Sequence, residues 1–200
     1  GIQEQKISDG LSIPNMEHHT AAAPVAANPD MLEQAADSLV NADFPLIVGG
    51  RFGIDPAVTG PLVELVELTG AAYRDDLAIV CFPTGHDQNL SGDRAIMKEA
   101  DVVLAIDCRD VASLLDGYTA DKAEVGKGRG DGSRTVIDLS MNDIAQSSWS
   151  YFDGAQPPVS LQISCEPLFG LTQLVEVVKQ KLAKDGSANE RISTRKIKLA

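Results

Sequence analysis

The run Val102-Val103-Leu104-Ala105-Ile106, closed by Asp101 and Asp107, constrains this chain more than any other stretch. Successive residues of a strand point to opposite sides, so a strand that is apolar throughout must be covered on both faces. That is the position of a parallel strand between two helical layers. The remainder of the chain supplies those layers. Short apolar or alternating runs are expected as strands at Leu46–Val48, Ala71–Arg74, Thr135–Leu139 and Val159–Ser164, with helical patterns between them. Strands alternating with helices imply an α/β fold: a doubly wound, mostly parallel sheet of five to six strands with helices on both faces.

The strongest local signal for a site is Phe44-Pro45-Leu46-Ile47-Val48-Gly49-Gly50-Arg51-Phe52-Gly53-Ile54-Asp55-Pro56. It reads as a buried strand, a tight glycine turn and a helix start. Such junctions bind ligands in open α/β sheets, because helix amino ends present N–H groups and the positive end of a dipole. Two helix starts compete here, Asp55-Pro56 and Gly60-Pro61, and the first is preferred. Val58, Leu62, Leu65, Val66 and Thr69 form the stripe of that helix, and Gly70 suits its carboxyl cap.

Asn28-Pro29 marks an earlier helix start, with Met31, Leu32, Ala35, Ala36, Leu39 and Val40 on one face and an end near Ala42. Residues 1–28, with Pro14, Pro24 and His18-His19, are expected to form an interdomain linker. Residues 29–186 form the domain. Its later helices are expected at Arg94–Ala100, at Val111–Leu115 and along Leu168–Leu182. Residues 187–200 turn basic, lose periodicity and are expected as a second linker or tail. Between strands, Cys81-Phe82-Pro83-Thr84-Gly85-His86-Asp87-Gln88-Asn89 reads as an ordered loop on the carboxyl side of the sheet. Gly126–Gly132 alternates glycine with charge and reads as a connector, since no Gly-Lys-Ser/Thr closes it. Residues 140–157, with Trp149, Tyr151 and Phe152, form a polar and aromatic loop.

A net charge of −12 argues against nucleic acid or an anionic membrane as partner. No apolar run approaches the roughly 20 residues of a membrane span, and the first twenty residues lack the core of a secretory signal. Cys81, Cys108 and Cys165 are odd in number and far apart, which suits reduced thiols in a cytoplasmic protein and no zinc site. No nucleophile elbow or metal spacing is present, so neither catalytic nor metal-binding residues are expected.

In order, the chain carries Leu46-Ile47-Val48-Gly49-Gly50 after an alanine-rich helix, Thr69-Gly70-Ala71 and Phe82-Pro83-Thr84-Gly85-His86. Then comes Glu99-Ala100-Asp101-Val102-Val103-Leu104-Ala105-Ile106-Asp107-Cys108-Arg109. Over residues 29–184 this resembles the central domain of thiamine diphosphate-dependent enzymes of the acetolactate synthase and benzoylformate decarboxylase group. The resemblance implies a Rossmann-like sheet placed between two catalytic domains that jointly hold thiamine diphosphate and magnesium. It implies a fragment inactive by itself, from an oligomeric lyase or transferase acting on a 2-keto acid or an acyl-CoA. Some members bind FAD or ADP in this domain. Carried over by position, Gly49, Gly50, Arg51, His86, Arg109 and Asp138 would be the nucleotide contacts.

Asp107 stands where the family usually has glycine, and Ser140-Met141 where it usually has an acidic residue and proline. A carboxylate at that strand tip opposes a diphosphate, so the nucleotide site is expected to be vestigial. The alternative reading is a stand-alone nucleotide-binding module or a sirtuin-topology, NAD-dependent deacylase with His86 in its His86-Asp87-Gln88-Asn89 context. An oxidoreductase is disfavoured, because the glycines do not fit Gly-x-Gly-x-x-Gly.

Overall fold

The computed structural model describes residues 19–76, 79–93, 95–116, 134–141 and 159–199, together with Glu4, Asn15 and Glu17. Most of the amino-terminal segment, the Gly126–Gly132 run and the Trp149, Tyr151 and Phe152 loop lie outside them.

Among the described residues, five parallel strands build one sheet: β1 (Pro45–Gly49), β2 (Ala72–Asp75), β3 (Val102–Ile106), β4 (Thr135–Ser140) and β5 (Leu161–Ser164), in the order β2-β1-β3-β4-β5. The central strand β3 is buried at every position, as its composition demands. Its residues alternate between two cores. Leu104 and Ile106 join Ile47, Ile137, Leu139 and Ile163 on one face, whereas Val103 and Ala105 join Leu46, Val48 and Val136 on the other.

Long helices cover the first face. Helix α1 (Pro29–Asn41) buries Leu32, Ala35, Ala36, Leu39 and Val40, and Asn28 caps it by accepting from the Asp30 N–H at 2.9 Å. Two 3₁₀ turns, Arg51–Ile54 and Pro56–Val58, precede α2 (Thr59–Thr69), so Asp55 caps the second turn and the α-helix itself begins later than expected. Pro61 is accommodated because it lies in the first turn, where no intrahelical N–H bond is lost. Gly70 ends α2 in the left-handed conformation, φ 62°. The other face carries α3 (Ile96–Glu99) and α4 (Val111–Asp116), with Met97, Val111 and Leu114 in its core. Helix α5 (Pro167–Lys184) returns to the first face and buries Leu171, Leu174, Val175 and Val178.

Two further segments differ from expectation. Residues 187–200, read as an aperiodic tail, contain α6 (Ala188–Leu199), which buries Ala188, Ile192 and Arg195 at helical spacing. Arginine in the middle of that stripe disguises it. The sequence places the loop after β2 beyond the carboxyl ends of the strands. Instead its later part runs along the outer edge of β2, where Tyr73 receives from the Leu90 N–H and donates to the Gln88 carbonyl, both at 2.8 Å. The Gln88 amide donates to the carbonyls of Val66 and Ala71 at 3.1 and 2.7 Å. The loop therefore covers an edge strand that would otherwise expose its backbone.

Candidate functional site at the carboxyl edge

The connection after β1 leads to one side of the sheet and the connection after β2 returns across it to β3. The carboxyl ends of β1 and β3 therefore form the topological switch point, the default ligand position in open α/β sheets. The glycine turn lies there. Gly50 donates its N–H to the Ile106 carbonyl at 2.9 Å, and Arg51 donates its own to the Asp107 carbonyl at 3.0 Å. The ladder thus continues past both strands, and Asp107 passes it on by donating to the Leu139 carbonyl at 3.0 Å.

This explains the glycines by packing. A Cβ on Gly50 would meet the Asp107 carbonyl oxygen at 2.2 Å, and one on Gly49 would meet the Tyr73 hydroxyl at 2.3 Å and the Cys81 sulfur at 2.7 Å. Around them Tyr73 donates to Asp75 at 2.7 Å and stacks on Phe82 with centroids 4.2 Å apart. Burial is the main reason the Tyr73 hydroxyl and the Cys81 thiol titrate late, the latter pushed up to about 11. Burial likewise pushes Cys165 up to about 12 and Cys108 well above its ordinary value. All three thiols are buried and free of disulfides, and none is a nucleophile at neutral pH.

Arg51 donates from Nη2 to Asp107 Oδ1 at 2.7 Å. Asp107 holds φ 50°, a left-handed conformation that is natural for glycine. Beside this pair opens a cavity of about 520 Å³ lined by Arg51, Asp55, Asp107 and Glu166, with Phe52, Ile54, Val58 and Leu168 among its apolar walls. Glu166 is the residue that the sequence reading missed. It caps α5, its two carboxylate oxygens accepting from the N–H groups of Leu168 at 3.1 Å and Phe169 at 2.7 Å. An acidic side chain immediately before Pro167 is a helix-start signal that could have revealed it.

Asp138 lies behind the pair, on the face shared by Val48 and Ala105, and is fully buried. One oxygen accepts from Gln162 at 3.1 Å and the other, Oδ1, has no hydrogen-bond partner. Burial is the main influence raising its pKa, followed by bonds from Gln162 and Ser140 that lower it, the Asp107 charge that raises it and the Arg51 charge that lowers it. The native state therefore retains a proton that the unfolded chain gives up near pH 4. This favourable contribution is complete below about pH 4 and is lost as pH rises through the native value. Asp138→Asn removes the charge and keeps the Gln162 bond. It is expected to raise stability at pH 7 by about 1–2 kcal/mol, with the gain vanishing toward pH 4. Urea midpoints at the two pH values measure this, and an Asn variant weaker at both would refute it.

The six residues carried over from the family resemblance are only partly assembled. Gly49, Gly50 and Arg51 meet Asp107 at the switch point, with Asp138 within electrostatic reach. Arg109 stands exposed just beyond Cys108. His86 is elsewhere: its Nε2 faces Glu67 at 3.4 Å near the carboxyl end of α2, and its ring meets Phe82 edge-on with centroids 4.9 Å apart. Among the described residues no group of three or more His, Cys, Asp or Glu side chains could hold a metal ion, and no helix is long and apolar enough to cross a membrane.

No protein-family model matches the sequence, and a search of curated proteins finds no match to it either. Solved structures do match. One, from Mycobacterium smegmatis and provisionally assigned as a thiamin diphosphate-dependent enzyme, aligns with 80% of this chain at a TM-score of 0.58 and 16% identity. Benzoylformate decarboxylase from Polynucleobacter necessarius aligns with 87% at a TM-score of 0.58 and 14% identity. The chain spans 29% and 31% of those two proteins. At such identities the likeness is one of fold, and it is the fold that the sequence resemblance led us to expect.

Proposed function

We propose that this chain is the central, non-catalytic domain of a thiamine diphosphate-dependent enzyme that makes or breaks carbon–carbon bonds in a 2-keto acid or an acyl-CoA. The observation that carries the reading is the match of four-fifths or more of this chain to under a third of an enzyme whose description includes thiamin diphosphate, or benzoylformate decarboxylase activity. The motif order Gly49-Gly50, Thr69-Gly70-Ala71 and Ala100–Arg109 supports the same family independently of the fold. In this reading two flanking domains hold the thiamine diphosphate and its magnesium, and this domain spaces them and shares in the contacts of a cytoplasmic homo-oligomer. Its own residues supply a parallel sheet whose inner strands β1 and β3 are buried on both faces, which suits a spacer.

The test compares the isolated chain with the product of the complete reading frame that contains it. Calorimetric titration of thiamine diphosphate and magnesium into the isolated chain is expected to show no binding. The product of the complete frame is expected to bind the cofactor and to release carbon dioxide from a 2-keto acid or to transfer its acyl group. Binding or turnover by the 200-residue chain alone would refute the reading.

A further inference from the structure

We infer that this chain closes its own anion site: the carboxylates of Asp107 and Glu166 occupy donors that a bound diphosphate would use, so the cavity excludes nucleotide diphosphates.

A diphosphate at a switch point is held by backbone N–H groups, by a helix amino end and by a cationic side chain. Each of those elements is present at the cavity, and each already donates to an acceptor of this chain. The Gly50 and Arg51 N–H groups serve the strand ladder through the carbonyls of Ile106 and Asp107. The amino end of α5 serves the Glu166 carboxylate through Leu168 and Phe169. The 3₁₀ turn before α2 serves Asp55, which accepts from the Ala57 N–H at 2.9 Å. The Arg51 guanidinium serves Asp107 at 2.7 Å. Size is not the obstacle, because about 520 Å³ lies within the range of small-molecule sites. Charge is: among the described lining residues, three carboxylates face one guanidinium.

The sequence shows how this arrangement is built. Asp107 keeps a left-handed conformation, φ 50°, that glycine would adopt more easily, and in exchange it places a carboxylate against Arg51. Glu166 places another at a helix end, where a neutral cap would serve. Both act as internal substitutes for phosphate.

Substituting both by glycine, Asp107→Gly with Glu166→Gly, tests the inference with little threat to folding. Glycine suits the left-handed position, and at a helix N-cap it is among the preferred residues. ADP and adenosine are titrated into the full chain by equilibrium dialysis at low salt. The native chain is expected to bind ADP no more tightly than adenosine. The double variant is expected to bind ADP at least about ten-fold more tightly than the native chain does, with adenosine unchanged and the gain shrinking at high salt. Asp107→Asn with Glu166→Gln, which removes charge and keeps shape, is expected to give a smaller gain in the same direction. Preference for ADP over adenosine in the native chain would overturn the inference. So would the absence of any gain in both variants when their melting curves match the native one.

Discussion

Replacing Arg195 by methionine is expected to destabilise the chain by about 3 kcal/mol, since one cation then ceases to serve several buried acceptors at once. Arg195 is only 6% exposed although it lies on α6, the last helix. Its Nη1 donates to the carbonyls of Leu39 at 3.1 Å and Thr69 at 2.8 Å, and its Nη2 donates to those of Val40 at 2.8 Å and Ala42. These carbonyls end α1 and α2, where the helices leave acceptors without intrahelical partners and where their dipoles favour positive charge. Methionine matches the apolar stem but leaves those carbonyls buried and unpaired. Lysine restores the charge without the planar fork and is expected to recover only part of the loss. A fall in melting temperature of roughly 6–12 °C would accompany a 3 kcal/mol change in a chain of this size. A loss below about 1 kcal/mol would show that α6 is an attached tail, as the sequence suggested, rather than a clamp on two helix ends.

The same arginine shows where a sequence can be read and where it cannot. Helix α1 was legible because its cap and stripe are local signals, and β3 because five apolar residues admit burial on both sides. Helix α6 was not, because its inward stripe contains a charged residue whose partners are carbonyls distant in sequence. Arg134 repeats the lesson: it is 7% exposed and donates to the carbonyls of Ala100 and Met97 beside α3. Arginine reads as surface, and only the fold shows which helix ends it reaches. Asp107 was legible as a departure from glycine, but its pairing with Arg51 and the cap at Glu166 depend on strands that are far apart in the chain. His86 was plausible from its neighbours in sequence, yet the loop that carries it turns along β2 and faces it toward Glu67.

Gly50→Ala decides between the two reasons for the glycine turn. If Gly50 serves a ligand, alanine disturbs binding and leaves the ligand-free chain as stable as before. The geometry predicts otherwise. The added Cβ would meet the oxygen and carbon of the Asp107 carbonyl at 2.2 and 2.6 Å and the Cys108 nitrogen at 2.7 Å. All three are backbone atoms of the strand connection, so no side chain can swing aside. The turn must move off β3, stretching the bonds that Gly50 and Arg51 donate to Ile106 and Asp107. The expected loss is about 2–4 kcal/mol, in the range of an overpacked core that also loses ladder bonds. Gly60→Ala is the internal control: nothing lies within 4 Å of its added Cβ and the residue is in α2, so alanine there is expected to stabilise by about 0.5 kcal/mol. Urea midpoints of the ligand-free chain measure both. Opposite signs would make the turn at the switch point a packing device that a ligand site inherits, and equal, near-zero effects would return Gly50 to the ligand.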